Sequence, residues 1–320
     1  MDESSSKFVD QLVQGKLLDE KLRRVTHFPE GGLTADPPDL FHDFAAHRAR
    51  ALPTATDTRE GYRFSSPVES AHPENDVCEV VVHRCPTPRA CVVFQHGLFE
   101  DNRDIYGFLF KGLREKGFEI HLSTLPYHYH RKPEASLFGG EYFWSAHYQR
   151  TRAAFRQAVY ELDLLQRMVQ SRSGLPAYVA GFSMGGCVAL LLASLRADLP
   201  GVAAINPATT LSGIVWDSPL CSTIKADYQS AGYSVSDLQS AFASFEPLGA
   251  ASIALPLDRL LLAYALYDQV TSLGQYQALV SGWNLPRTLE LKAGHLNTLR
   301  VPRLAGDLAH FFDTLAETAP

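Results

Sequence analysis

The stretch YVAGFSMGGCVALLLASL, residues 178–195, joins a short apolar run to a longer run of small and apolar residues through a turn that contains Ser183. The first run has the length of a buried strand, and the second repeats its apolar residues at helical spacing. Gly181, Gly185 and Gly186 surround the serine and permit a tight turn between the two elements. A strand that leads directly into a buried helix is typical of a parallel sheet covered by helices.

The same alternation of short apolar strands and helices continues along most of the chain. The strand-like stretches are RFSSPVES, CEVVVHRCP, RACVVFQHG, FEIHLSTLP, PAYVAG, GVAAIN, DRLLLAYAL and RTLELK. Helical periodicity separates most of them, notably over 145–171, 184–196, 270–283 and 302–315. We therefore predict an α/β fold with a mostly parallel, doubly wound sheet, and the adjacent early strands predict an antiparallel edge at its beginning.

Two segments lie outside this alternation. Over 5–25, apolar residues recur close to one helical face: Phe8, Val9, Leu12, Val13, Leu17, Leu18, Leu22 and Val25. This spacing predicts a helix packed on the main domain, with dimerisation or membrane-surface binding as the alternative. Residues 207–256 predict a mostly helical insertion over the sheet. The expected organisation is a helical extension, 1–61, followed by an α/β domain, 62–320, with a cap insertion at about 207–256.

Composition narrows the classes of function. The chain has 29 Lys and Arg against 35 Asp and Glu, a net charge of −6, without the clustered positive charge that nucleic-acid binding needs. The sequence begins without the pattern of a secretory signal, and no window approaches the roughly 18 apolar residues of a membrane span. The five cysteines contain no Cys-x-x-Cys pair. We therefore expect a cytoplasmic protein with reduced cysteines.

Ser183 is the first candidate for chemistry. The residues from Gly181 to Gly185 fit the pattern Gly-x-Ser-x-Gly between a predicted strand and helix, where a sharp turn lifts the serine oxygen above the sheet. The helix that begins there directs free N–H groups towards the same place, so the N–H of Met184 is expected to bind an oxyanion. We predict that Ser183 is a nucleophile, and the alternative is a small residue in a structural turn.

A serine nucleophile needs a base and an acid, and the order expected along such a sheet is serine, acid, histidine. His295 follows the strand RTLELK on the loop AGHLN, and Asp268 follows the strand DRLLLAYAL. Asp258 and Glu290 compete for the acid, but Asp258 lies at the wrong end of its strand and Glu290 lies in a strand interior. The sequence therefore predicts a triad of Ser183, Asp268 and His295.

The stretch VVFQHGLFEDN ends a buried strand at a turn. Its position favours the backbone N–H of Leu98 as the second donor to the oxyanion. His96 precedes the serine and lies at the strand end, which favours a structural role over that of the base.

The loop LPYHYHRKP, residues 125–133, should border the same crevice. Tyr127, His128 and Arg131 are therefore candidate substrate-binding residues, and the alternative is a structural loop in which Arg131 satisfies buried carbonyls. A metal needs three or four ligands, and His128 with His130 has no third ligand at a usable spacing, so no metal is predicted.

The predicted cap carries apolar residues that could line a pocket beside the serine. They are Leu211, Ile214, Val215, Trp216 and Phe242. Among these, Trp216 is the candidate substrate-binding residue, and ordinary packing of the insertion is the alternative.

The motifs QHGLFED, GFSMGG, ALYDQVT and AGHLN, in this order, resemble the α/β-hydrolase superfamily over about 62–316. In addition, SSPVES, LPYHYHRKP and GFSMGG are similar to the group around α/β-hydrolase domain-containing protein 18 and its bacterial relatives. The resemblance implies the α/β-hydrolase fold with a Ser-His-Asp triad.

The predicted reaction is hydrolysis of a carboxylic ester or thioester through an acyl-enzyme, without a cofactor. The alternatives are acyl transfer, ring closure or C–C cleavage on the same triad, and a binding protein that has lost catalysis. The expected partner is a small acyl substrate, with no nucleic acid and no membrane span, and a homo-oligomer could form through the N-terminal helix or the cap.

Overall fold

A nine-stranded sheet forms the centre of the structure, a computed structural model that describes residues 2–21, 32–33, 39–249 and 252–317. The strands are β1 (Thr56–Asp57), β2 (Gly61–Ser65), β3 (Val77–His83), β4 (Ala90–Gln95), β5 (Phe118–Ser123), β6 (Ala177–Phe182), β7 (Val202–Ile205), β8 (Leu260–Ala265) and β9 (Thr288–Leu291). Their order is β1-β2-β3-β5-β4-β6-β7-β8-β9. The pairs β1–β2, β2–β3 and β3–β5 are antiparallel, and the five pairs from β5–β4 to β8–β9 are parallel. This arrangement confirms the predicted α/β sheet with an antiparallel edge.

Helices cover both faces of the sheet. They are α1 (Glu3–Glu20), α2 (Phe44–Arg48), α3 (Gly107–Glu115), α4 (Tyr148–Ser173), α5 (Met184–Leu195), α6 (Leu211–Asp217), α7 (Ser222–Ser230), α8 (Val235–Phe242), α9 (Leu273–Trp283) and α10 (Leu304–Glu317). One apolar layer packs α4 and α5 on the sheet, and a second packs α3 and α10 on the opposite face. Within the described ranges, no helix has both the length and the apolar character needed to cross a bilayer.

The connections around β4 determine where a site can form. The chain leaves β4 through α3 to pair β5 on one side, and it later returns through α4 to pair β6 on the other side. A crevice opens at the carboxyl ends of parallel strands where the direction of winding reverses. The loops after β4 and β6 therefore meet at one edge of the sheet.

Helix α1 packs on the rest of the molecule, but part of its predicted apolar face is exposed. Its buried side chains are polar, namely Ser6, Asp10 and Gln14. Phe8 and Leu12 are 63% and 61% exposed, so the prediction of packing through a single apolar face is wrong for these residues. Leu22 and Val25 lie outside the described residues. The polar stripe is buried because it forms hydrogen bonds with the loops after β8 and β9.

The segment 207–249 contains α6, α7 and α8, and residues 250 and 251 are not described. Glu246 ties its end to α6, since the N–H of Ser212 donates to Glu246 Oε2 at 3.0 Å. Buried apolar side chains fill the space between the three helices, and they belong to the same apolar layer that packs α4 and α5 on the sheet.

Candidate active site

Ser183 lies at the turn between β6 and α5 with φ 53° and ψ −116°, a conformation that is strained for a residue with a side chain. A Cβ atom at Gly181 would lie 2.2 Å from the Gly185 oxygen, and one at Gly185 would lie 2.1 Å from the Gln95 oxygen. The turn therefore requires glycine at both positions. It presents the serine hydroxyl above the carboxyl ends of the strands.

The structure brings Ser183, His295 and Asp268 together. His295 lies on the loop after β9, and Asp268 lies on the loop after β8. His295 Nε2 lies 2.9 Å from Ser183 Oγ, and His295 Nδ1 lies 2.7 Å from Asp268 Oδ2. The side chains of His295 and Asp268 are both buried. The histidine is thus placed to accept the serine proton while Asp268 holds the opposite ring nitrogen.

The Asp268 carboxylate is fixed by further donors. The N–H groups of Val270 and Thr271 donate to Oδ1 at 2.7 and 2.9 Å, and the Tyr276 hydroxyl donates to Oδ2 at 2.7 Å. These donors satisfy the carboxylate in its ionised form.

The two competing acids lie elsewhere. Asp258 precedes β8, at the end of the strand opposite to Asp268. Glu290 accepts a hydrogen bond from the Tyr264 hydroxyl at 2.7 Å. Neither carboxylate forms a hydrogen bond with His295 among the described residues.

Opposing effects act on the charge of His295. Burial lowers its pKa, but the charge and hydrogen bond of Asp268 raise it, and the charges of Asp10 and Glu100 add to that effect. The net result is a pKa above the ordinary value for histidine. The environment therefore favours the imidazolium that a proton transfer from serine would create.

The predicted oxyanion donors are the backbone N–H groups of Leu98 and Met184. Both residues line the same cavity as Ser183, Leu98 in the loop after β4 and Met184 at the start of α5. Neither backbone N–H donates a hydrogen bond within the part of the chain that the structure describes. Both N–H groups are therefore left without an acceptor among the described residues, as an oxyanion site would require.

Two buried histidines hold the loop of Leu98. His96 Nε2 accepts the N–H of Leu125 at 3.0 Å, and His128 Nε2 accepts the N–H of Phe99 at 3.2 Å. His128 Nδ1 lies 2.8 Å from the Pro126 oxygen, so both of its ring nitrogens are used. His96 is structural, as expected. His128 also supports the loop, and the structure does not bring it to the substrate space.

The other two candidates from the 125–133 loop are also scaffold residues. Arg131 is fully buried, and its guanidinium donates to Glu161 at 2.7 and 2.8 Å and to the Thr124 oxygen at 2.7 Å. The N–H of Tyr127 donates to Asn75 Oδ1 at 2.8 Å, and its side chain is buried. The loop turns these side chains into the core, so the predicted contact of Tyr127 and Arg131 with substrate is corrected.

A cavity of about 590 Å³ opens beside Ser183. Its apolar lining includes Val9, Val13, Leu17, Trp144, Ile214 and Leu220. This volume is in the range of small-molecule sites, and its walls suit an apolar group.

Trp216 does not line this cavity, which corrects its predicted role. It is two residues from Ile214 on α6, so the two side chains leave the helix on different faces. Lys225 covers the Trp216 ring, with Nζ 4.8 Å from the ring centroid.

Two carboxyl groups near the triad were missed from the sequence. Glu100 lines the cavity, and its Oε1 accepts the N–H of Gly97 at 3.1 Å and the Tyr106 hydroxyl at 2.5 Å. Burial raises the pKa of Glu100 to about 8, against the effect of these hydrogen bonds. Asp10 of α1 contacts the histidine loop directly. The acidic stretch after His96-Gly97 was a local signal for Glu100, whereas the sequence near Asp10 carries none.

One group of potential metal ligands occurs within the described residues: Cys91, Glu119 and His121. It lies on β4 and β5, away from Ser183. Glu119 Oε1 lies 3.4 Å from His121 Nε2 and 3.5 Å from Arg84 Nη1, so two of the three groups already contact each other.

Solved structures that are similar to this chain include the following three. The Pyrococcus furiosus esterase Pf2001 matches with a TM-score of 0.53 and 13% identity, over 91% of this chain and 98% of that one. A Paleococcus ferrophilus monoacylglycerol lipase matches with a TM-score of 0.50 and 19% identity, over 75% and 100%. TT1662 from Thermus thermophilus matches with a TM-score of 0.50 and 21% identity, over 75% and 94%. No protein-family model and no curated protein matches the sequence. The similarity to the group around α/β-hydrolase domain-containing protein 18 stays a prediction.

Proposed function

This chain has the α/β-hydrolase fold, and on that premise we propose that it is a serine hydrolase that cleaves a carboxylic ester or thioester. The observation that carries the proposal is the hydrogen-bond chain from Ser183 Oγ to His295 Nε2, 2.9 Å, and from His295 Nδ1 to Asp268 Oδ2, 2.7 Å. A serine becomes a nucleophile when an oriented base can take its proton. The esterase and lipase names of similar structures agree with this chemistry.

The reaction proceeds in two halves. Ser183 Oγ attacks the carbonyl carbon while its proton passes to His295, and the N–H groups of Leu98 and Met184 bind the oxyanion. The tetrahedral intermediate collapses to a serine ester as His295 protonates the departing alcohol or thiol. A water molecule then loses a proton to His295 and attacks the ester. The acid is released, and Ser183 regains its proton.

The cavity supports an apolar acyl group as the part of the substrate that the protein recognises. Val13 and Leu17 of α1 form one part of its walls. Ile214 and Leu220, from the segment 207–249, form another part. We therefore treat 207–256 as a cap on the α/β domain and 1–61 as an extension that contributes a wall. Burial of each methylene contributes about 0.8 kcal/mol, so longer acyl chains should bind more tightly until the cavity is filled.

Hydrolysis of p-nitrophenyl esters and acyl thioesters of graded chain length tests the proposal. The expected result is turnover with one equivalent of free acid per ester, and a kcat/KM that rises with chain length to a maximum. Chromatography of the products, with and without an added alcohol or amine, separates hydrolysis from acyl transfer. Absence of Ser183-dependent turnover across the panel would overturn the proposed function.

A further inference from the structure

Helix α1 is joined to the two loops that carry the proposed acid and base. Asp10 Oδ2 accepts the backbone N–H of His295 at 2.6 Å and that of Gln269 at 3.2 Å. Asp10 Oδ1 accepts the N–H of Leu296 at 3.1 Å. One turn further along the helix, Gln14 Nε2 donates to the Gln269 oxygen at 3.0 Å. A single side chain thus bridges the residue after Asp268 and the backbone of His295 itself.

The histidine loop packs tightly against the Asp10 carboxylate. Asp10 is fully buried, and a Cβ atom at Gly294 would lie 2.7 Å from its Oδ2. Ser6, one turn earlier, accepts Asn297 Nδ2 at 3.1 Å, and Asn297 Oδ1 in turn accepts the N–H of Gly294 at 2.6 Å. The histidine loop is therefore held on both sides of His295 by residues of α1.

The hydrogen-bond partners of Asp10 suit the ionised form of its carboxyl group. Every hydrogen bond to its carboxyl group comes from a backbone N–H, which can only donate, so both oxygens act as acceptors. No Lys or Arg side chain pairs with it in the described part of the chain. Burial of a carboxylate without a cation is costly and raises the pKa of Asp10, and the N–H groups of His295 and Leu296 and the charge of His295 oppose that effect.

We propose that Asp10 is a positioning residue for the proposed hydrolysis: it holds the His295 backbone so that Nε2 faces Ser183 Oγ, and its charge stabilises the imidazolium. The inference rests on the proposed function. Loops at the edge of a sheet move more than the strands that carry them. Because α1 also lines the cavity through Val9 and Val13, one helix fixes both the base and the space for substrate.

The negative charge of Asp10 affects the pKa of His295. The acidic groups that act on this imidazole are Asp268 from the loop after β8, Asp10 from α1 and Glu100 from the loop after β4. Arg300, which lines the same cavity, is a cation on the turn that follows the histidine loop. Removal of the Asp10 charge takes away one group that stabilises the imidazolium, so the pKa of His295 should fall.

The test compares Asp10→Asn with Glu3→Gln, which removes an exposed carboxylate from the same helix. We expect Asp10→Asn to lower kcat by about 10- to 100-fold with little change in KM, because misplacement of the base affects the transition state more than substrate binding. The acid limb of the kcat/KM profile should move to lower pH. Glu3→Gln should match the wild type in both measurements. Rates are normalised to the folded fraction.

A direct measurement separates this inference from the proposed function. The pKa of the His295 imidazole is read by NMR, with His295→Gln to assign its signal, and it should fall in Asp10→Asn even if no ester is turned over. An unchanged His295 pKa together with unchanged kcat would overturn the role of Asp10. Loss of thermal stability alone, with normal kinetics, would also overturn it.

A milder variant covers the case in which Asp10→Asn does not fold. Ser6→Ala removes the hydroxyl that accepts Asn297 and leaves Asp10 in place. It should lower kcat by about 3- to 10-fold at an unchanged KM, because the loop loses one of its two attachments to α1. A kcat equal to that of Glu3→Gln would contradict the proposal.

Discussion

The Tyr276 hydroxyl lies 2.7 Å from Asp268 Oδ2, the same oxygen that faces His295 Nδ1 at 2.7 Å. Tyr276, a residue of α9, therefore helps to fix the orientation of the Asp268 carboxylate that faces His295. We expect Asp268→Asn to lower kcat by about 1,000- to 10,000-fold with the fold retained, because an amide cannot stabilise the imidazolium and favours the wrong tautomer. Steady-state kinetics and circular dichroism measure the two effects.

Asp258→Asn is the matched control, since Asp258 lies at the opposite end of β8. It should leave kcat and KM unchanged. If Asp258→Asn were the crippling variant and Asp268→Asn active, the assignment of the acid would be wrong.

The buried carboxyl of Glu100 should make the stability of the protein depend on pH. Its folded pKa of about 8 lies above the value of about 4.3 for an unfolded glutamate, so folding favours the protonated form. The stabilisation is complete below the unfolded pKa and is lost as pH rises through the folded pKa. Glu100→Gln keeps an acceptor for Gly97 and removes the titration. Its Tm relative to wild type should therefore rise between pH 5 and pH 9, as calorimetry can measure. A Tm difference independent of pH would contradict this.

Arg131 should prove to be a stability residue. Its buried ion pair with Glu161 and its bond to the Thr124 oxygen use the planar guanidinium, which lysine cannot reproduce. We expect Arg131→Lys to destabilise the protein by about 2–3 kcal/mol, since hydrogen bonds between buried charged groups are lost. KM and kcat of the folded fraction should stay normal. A raised KM at normal Tm would instead assign Arg131 to substrate binding.

Acyl-chain selectivity should follow the residues that line the cavity. Ile214→Ala enlarges the cavity beside Ser183, and the preferred p-nitrophenyl ester should become longer by one or two carbons, at a cost of about 2–4 kcal/mol in stability. Trp216→Ala is the control on the same helix, and it should leave the ranking of esters unchanged. A changed ranking in Trp216→Ala alone would restore the original prediction for that residue.

The sequence was sufficient to predict the sheet and the place of Ser183, since both follow from local patterns. Strands are short apolar runs, and the close approach of Gly181 to Gly185 makes glycine obligatory at the serine turn. The chain order then located Asp268 and His295 at the carboxyl ends of β8 and β9, where the structure brings them together.

Side-chain direction in loops and contacts between distant segments could not be predicted. Arg131 lies in a loop near the crevice and its side chain turns into the core, and no periodicity specifies direction in a loop. Trp216 lies on α6, but which face of that helix meets the cavity depends on how the helix packs, and its side chain lies against Lys225. Asp10 contacts His295 across 285 positions of sequence. Apolar periodicity failed for Phe8 and Leu12 of α1, which are exposed, because the helix is held against the loops by hydrogen bonds of its polar stripe.

The central claim is that Ser183 carries the acyl group, and covalent labelling tests it most directly. A fluorophosphonate probe reacts with a serine only when a base activates it, and mass spectrometry of the digested protein identifies the modified residue. We predict a single adduct on the peptide that contains Ser183, its loss in Ser183→Ala, and its retention in Ser240→Ala, a change of an exposed serine on α8. Labelling that persists in folded Ser183→Ala, or an adduct on another serine in the wild type, would contradict the account.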